Sequence, residues 1–92
     1  MMVLVAYDIS NDAMRSLVAR RLLAMGFSRI QRSVFVRRGS YAVARDVARL
    51  LARLVDPSSD RVHVIVVQDR DWGSRIVIGG EGVDEAGPVH LF

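Results

Sequence analysis

The chain has no cysteine, which excludes disulfide staples, thiolate metal sites and thiol nucleophiles. It has no lysine either, and all 13 of its basic residues are arginine. That bias fits genome composition or growth at high temperature. It also fits phosphate binding, for which a guanidinium is the better bidentate ligand. No apolar run approaches membrane length. The stretch Val3–Ala6 is too short for a signal peptide and lacks a basic flank, so a cytoplasmic protein without membrane contact is expected.

What is present bounds one domain. Of 92 residues, 51% are hydrophobic and 25% charged, the balance of a globular chain with no room for a second core. Charge is uneven along it. Residues 1–53 carry ten arginines against Asp8, Asp12 and Asp46, whereas residues 54–92 carry three arginines against seven acids. A basic first part points to a polyanion such as nucleic acid, with solvated helix faces as the alternative.

Residues 2–8 read as a strand that is apolar at both parities. Ser10, Asn11 and Asp12 offer caps for a helix over 12–25. Its buried stripe is Met14, Leu17, Val18, Leu22 and Met25, and Gly26 stops it. Residues 28–37 are strand-like but broken near Arg32–Ser33, where a bulge or bend makes two short strands. A second helix over 41–55 turns Ala44, Val47, Ala48, Leu51, Leu54 and Val55 inward and leaves Arg45, Arg49 and Arg53 as an exposed row. The row reads as a solvated face whose spacing also suits a phosphate backbone. Residues 61–68 are a further apolar strand, 70–73 a turn and 74–80 a last short strand. The order predicts an α+β, ferredoxin-like βαββαβ sandwich over residues 1–80, with an additional short C-terminal strand and a Gly-rich acidic tail over 81–92. Strands 2–8 and 61–68, the two most apolar, are expected at its centre. Two helices cover one sheet face only, so a two-fold homodimer closing sheet against sheet is expected over the other.

Asp8 ends the first strand, and three readings are open for it: a helix cap, an ion pair with Arg15 or Arg29, or a metal ligand. One carboxylate is a poor Mg2+ site, but two copies meeting near a dimer axis could share an ion that neutralises a phosphodiester and acidifies a bound water. Arg15 and Arg29 could then grip flanking phosphates. Tyr7 reads as packing, and Phe35 as filling the dimer interface, with base stacking the alternative. His63 reads as a satisfied core histidine, and Asp69 and Asp71 as solvating their turn. The glycines of 79–87 lack the lysine and hydroxyl residue of a phosphate loop. No Ser–His–Asp set can be assembled.

The strings YDIS and ND at 7–12, an arginine in the following helix, FSRIQRSVF at 27–35 and RIVIG at 75–79 together resemble the CRISPR-associated protein two family. Its members are small dimeric partners of the CRISPR integrase in spacer acquisition, an antiviral defence. The resemblance implies a ferredoxin-like homodimer in which residues 75–79 extend the partner's sheet. It further implies a Mg2+-dependent (or Mn2+-dependent) endonuclease acting on single-stranded RNA or double-stranded DNA, with Asp8 as metal ligand and Tyr7, Arg15, Arg29 and Phe35 at the shared site positions. One departure weakens the transfer: Leu17 stands where some members carry a further basic residue. The alternative within the family is a non-catalytic scaffold that binds DNA and bridges integrase dimers. A toxin-type ribonuclease on the same fold is a more distant third reading.

Overall fold

Residues Met2–Asp8 form strand β1, whose alternation sends Val3, Val5 and Tyr7 to one face and Met2, Leu4, Ala6 and Asp8 to the other. The structure, a computed structural model, describes residues 1–80; the predicted 81–92 tail lies outside them. After β1 come helix α1 (Asp12–Ala24), strands β2 (Ser28–Gln31) and β3 (Val34–Arg38), helix α2 (Tyr41–Leu54), strand β4 (Arg61–Val67) and the short helix α3 (Asp69–Gly73). The strands form one antiparallel sheet in the order β2-β3-β1-β4, the ferredoxin-like arrangement. Among the described residues, no helix is long and apolar enough to cross a membrane.

Local chemistry sets the element ends. Of the three cap candidates it is Asn11 that caps α1, its side chain accepting from the Met14 amide at 2.9 Å. Gly26 ends the helix at a φ of +86°, a conformation that favours glycine. Ser40 caps α2 by accepting from the Ala42 amide. The expected break in 28–37 is a turn at Arg32–Ser33 with a register shift between Arg29 and Gln31. The arginine row Arg45, Arg49 and Arg53 is exposed as its spacing predicts, and Ala48 is exposed with it rather than inward.

The core lies between the helices and one sheet face. Val3, Val5, Tyr7, Phe35, Val18, Leu22, Val47 and Leu51 are buried there, with Val62, Val64 and Val66 packed against them. A smaller cluster lies on the opposite face, where Trp72 of α3 packs over Met2 and Val36 beside Leu4, Ile30 and Val67.

Five expectations are corrected. Strand β4 is an edge strand; the central pair is β1 and β3. Both faces of β4 carry valine or isoleucine, a pattern usual for an interior strand, yet among the described strands only β1 pairs with it. The 70–73 turn is part of helix α3, with Gln68 as its N-cap residue, and this helix partly covers the face expected to be bare. Residues 74–80 are not a strand within the chain, since only Val77 makes an isolated bridge. Trp72 pins the chain above Met2 and Val36, with Arg75 stacked on its ring at 4.1 Å. Finally, His63 is exposed on β4 and is no core residue, and Phe35 is fully buried under the helices of its own chain rather than free for an interface.

Candidate active site

The C-terminal end of β1 lies between two clefts. Register fixes the surroundings: Asp8 is opposite Arg61 of β4, Ala6 lies between Val34 of β3 and His63 of β4, and the Tyr7 amide donates to the Ser33 carbonyl at 3.0 Å. Because Asp8 ends the strand its carboxylate is exposed, so the desolvation cost of a buried carboxylate does not arise. The ion pairs among the described residues join the Met1 ammonium and Arg38 to Asp69, Arg15 to Asp12, and Arg49 to Asp46, and none reaches Asp8. Two of its three open readings therefore fall: it neither caps α1 nor pairs with Arg15 or Arg29.

The first cleft, of about 430 Å³, is lined by Tyr7, Asp8, Ile9, Arg15, Arg29 and Arg32, with Ser16 and Ser33 at its margin. Two of its arginines are held in place. Arg15 donates from Nη1 to the Ile9 carbonyl at 3.0 Å and from Nη2 to Asp12. Arg29 donates from Nε to the Arg32 carbonyl at 3.1 Å, and its guanidinium lies 4.9 Å above the Phe35 ring. Phe35 in turn stacks on Tyr7 with ring centroids 6.0 Å apart. A guanidinium has five N–H donors, so both arginines keep donors for an anion. The sequence-predicted residues thus converge, with a division of labour. Asp8, Arg15 and Arg29 line the cleft. Phe35 lies wholly beneath, and Tyr7 contributes to the wall while its ring is packed in the core.

The second cleft, of about 520 Å³, shares Tyr7 and Asp8 and continues along Ala6, Arg61, His63 and the 57–60 loop. Asp60 fastens that loop: it accepts from the Asp56 amide at 2.9 Å and from the Ser10 amide and hydroxyl at 3.3 Å. The Asp56 amide, and after it Ser10, hold the Asp60 carboxyl below the usual carboxylate range. Its oxygens are committed to structure.

Sequence reasoning missed Arg32 and Arg61 as cleft residues and placed His63 in the core. Arg32 was visible only as an interruption of alternation. The other two follow from register alone, since β1 and β4 are both seven residues long and antiparallel, so the end of one meets the start of the other.

A divalent ion can be tested against this donor set. Among the described residues no three His, Asp or Glu side chains are grouped so that they could hold a metal ion together. Mg2+ commonly takes one or two carboxylates and completes its shell with water and phosphate oxygens. One exposed, unengaged carboxylate fits that role as the protein's share, and a second copy would double it.

The model of the family described as CRISPR associated protein Cas2 matches residues 1–75. A CRISPR-associated endoribonuclease Cas2 of Aeropyrum pernix is 46% identical over 78 residues, covering 85% of each chain. A Cas1/Cas2 endonuclease fusion of Thermoproteus tenax is 39% identical over 70 residues, 76% of this chain and 26% of that longer protein. The crystal structure of Streptococcus pyogenes Cas2 superposes with a TM-score of 0.64 at 27% identity, covering 78% of this chain and 90% of that one. With the sheet order and these likenesses in agreement, the chain belongs to the CRISPR-associated Cas2 family.

Proposed function

We propose that this protein acts in CRISPR adaptation, in the cytoplasm, as a homodimeric nucleic-acid-binding partner of the Cas1 integrase. We further propose that its Asp8 site cleaves phosphodiesters with Mg2+ or Mn2+. The observation that carries the reading is an exposed carboxylate with no partner of its own, sharing a cleft with three arginines. Asp8 would hold the ion, which when bound supplies charge neutralisation at the phosphate and a more acidic water. Arg15 and Arg29, already anchored by backbone carbonyls, orient the strand through their remaining donors. Phe35 and Tyr7 act one step back, as the surface on which Arg29 rests. The names of the relatives support the reading: one is an endoribonuclease and another is fused to Cas1.

A second reading has its own support. Each chain brings one carboxylate without a partner, Asp8, to the site, and the Cas1 fusion suits a protein whose work is assembly. As a scaffold the dimer would bind duplex DNA along exposed arginines such as Arg45, Arg49 and Arg53 and cut nothing. The two are separated by incubating folded wild type and Asp8→Asn with labelled single-stranded RNA and duplex DNA, in Mg2+ and in EDTA. The nuclease reading expects cleavage that falls to the EDTA level in the variant. Salt-dependent binding without cleavage by the wild type would contradict it and support the scaffold.

A further inference from the structure

Arg15 and Arg29 reach the Asp8 cleft already tied to backbone carbonyls; the third arginine of its wall does not. Among the described residues the exposed Arg32 guanidinium makes no ion pair and no hydrogen bond. All five of its N–H donors are therefore uncommitted. What is fixed is the backbone beneath it. Gln31 pairs with Val34, so Arg32 and Ser33 are the two residues of a tight hairpin loop between β2 and β3. The Arg32 carbonyl accepts from Arg29 Nε at 3.1 Å, and the Ser33 carbonyl accepts from the Tyr7 amide at 3.0 Å. The loop is thus fastened to the site residue Arg29 and to β1 one residue before Asp8.

An arginine on an exposed turn is ordinarily a solvated one, and two observations argue against that here. Two-residue hairpin loops favour primed turns built on glycine, asparagine or aspartate. This loop has none of these and no residue of positive φ, so Arg32 is not there as a turn former. The second observation is the charge of the cleft. Its three guanidiniums stand against Asp8 and against Asp12, which is paired with Arg15, and one positive charge is left over. Without Arg32 the set is neutral, and a bare Asp8 would repel a phosphate with nothing to outweigh it. The cleft has helix α1 in its wall through Arg15 and Ser16, on the helix side of the sheet and away from the half-covered face.

We propose that Arg32 is a phosphate-binding residue of the Asp8 cleft, the cation that gives the cleft its net positive charge and closes on the strand once it is seated. This rests on the nucleic-acid reading above and adds a residue to it. Arg15 and Arg29 are set in place before the strand arrives, whereas Arg32 has no partner to give up and takes its place on contact. The loop holds its backbone within the site, and the long side chain supplies the reach.

The test is fluorescence anisotropy of a labelled 12-nucleotide single-stranded RNA, titrated at several salt concentrations in EDTA so that no cleavage intervenes. Wild type is compared with Arg32→Ala, Arg32→Lys, Arg29→Ala and Arg20→Ala, with melting temperatures measured for all. Arg20 is exposed on α1 outside the cleft and controls for the loss of one charge anywhere. Arg32→Ala should weaken binding about tenfold and reduce the salt slope by about 0.7, one phosphate contact on a single strand. Arg32→Lys should restore the slope but only part of the affinity, since an ammonium cannot reproduce the fork. Arg32→Ala should melt with wild type, because the loop is held by the Arg32 carbonyl and not by its side chain. If Arg29→Ala weakens binding and Arg32→Ala does not, Arg32 is a solvated turn residue and the nucleic-acid reading stands without it. Equal losses in Arg32→Ala and Arg20→Ala, or a loss that follows a fall in melting temperature, overturn the assignment as well. If wild type shows no salt-dependent binding, the nucleic-acid reading fails, and the role of Arg32 with it.

Discussion

On the helix side of the sheet Val5, Tyr7 and Phe35 are sealed beneath two helices, whereas on the other side Trp72 buries Met2 and Val36 and leaves Leu4, Ile30 and Val67 only partly buried. Ile65 is 47% exposed on that second side, and Ile76 and Ile78 beyond α3 are 64% and 76% exposed. The same strands feed both faces. The contrast therefore comes from what the chain can lay over each, and it teaches where the protein is finished alone and where it is not. The sealed side fixes Arg29 through Phe35 and so prepares the arginine cleft. Among the described residues the half-covered side keeps exposed isoleucines and an unpaired β4 edge, the features of a surface awaiting another chain.

Breaking the sealed side should cost most. Phe35→Ala removes a fully buried ring and should destabilise the fold by about 3–5 kcal/mol, read by denaturant unfolding. It should also weaken strand binding, because Arg29 loses its platform. Trp72→Ala should cost about 1.5–3 kcal/mol, the value of burial on a face that closes no cavity. If the two losses were equal, the faces would not differ as described. Ile65→Asp sharpens the contrast from the other direction. An exposed strand position should change the unfolding free energy by only about 0.5 kcal/mol, yet it should shift a face-to-face dimer to monomer in sedimentation velocity.

The smallest effect concerns the Met1 end of β1. The hydrogen bond from the N-terminal ammonium, aided by Arg38, holds the Asp69 carboxyl below the usual carboxylate range. A lowered folded pKa contributes stability above the ordinary value of 3.8 and loses it as pH falls through the folded one. Asp69→Asn should therefore melt slightly below wild type at pH 6, and the difference should vanish in strong acid. Asp69 is well exposed, so the gap stays small.

Periodicity and caps made the helices and strands through β4 legible, because each rests on local chemistry: the Asn11 and Ser40 caps, the Gly26 stop, the lapse of alternation at Arg32. The site was legible only so far as its residues were adjacent to β1 and β2. Phe35 was misplaced because it shares parity with Arg29 and Arg37, which mark a polar face by count. Both arginines lie over aromatic rings, Arg29 over Phe35 and Arg37 over Phe27, while Arg29 and the charged heads stay near the rim. β4 was misplaced for a related reason: a strand apolar on both faces reads as interior, yet among the described residues no strand pairs with its outer edge. Arg61 and His63 became visible only through register, which depends on strand order and not on sequence spacing.

Direct metal binding tests the central claim that Asp8 is a ligand for a divalent ion beside a bound strand. Mn2+ would be titrated into folded wild type and Asp8→Asn by electron paramagnetic resonance, each with and without an uncleavable phosphorothioate strand. The account predicts that wild type takes up Mn2+ more tightly when the strand is present and that Asp8→Asn takes up none at the same concentrations while still binding the strand. Equal Mn2+ uptake by the two proteins would contradict it and return Asp8 to a purely structural place at the end of β1.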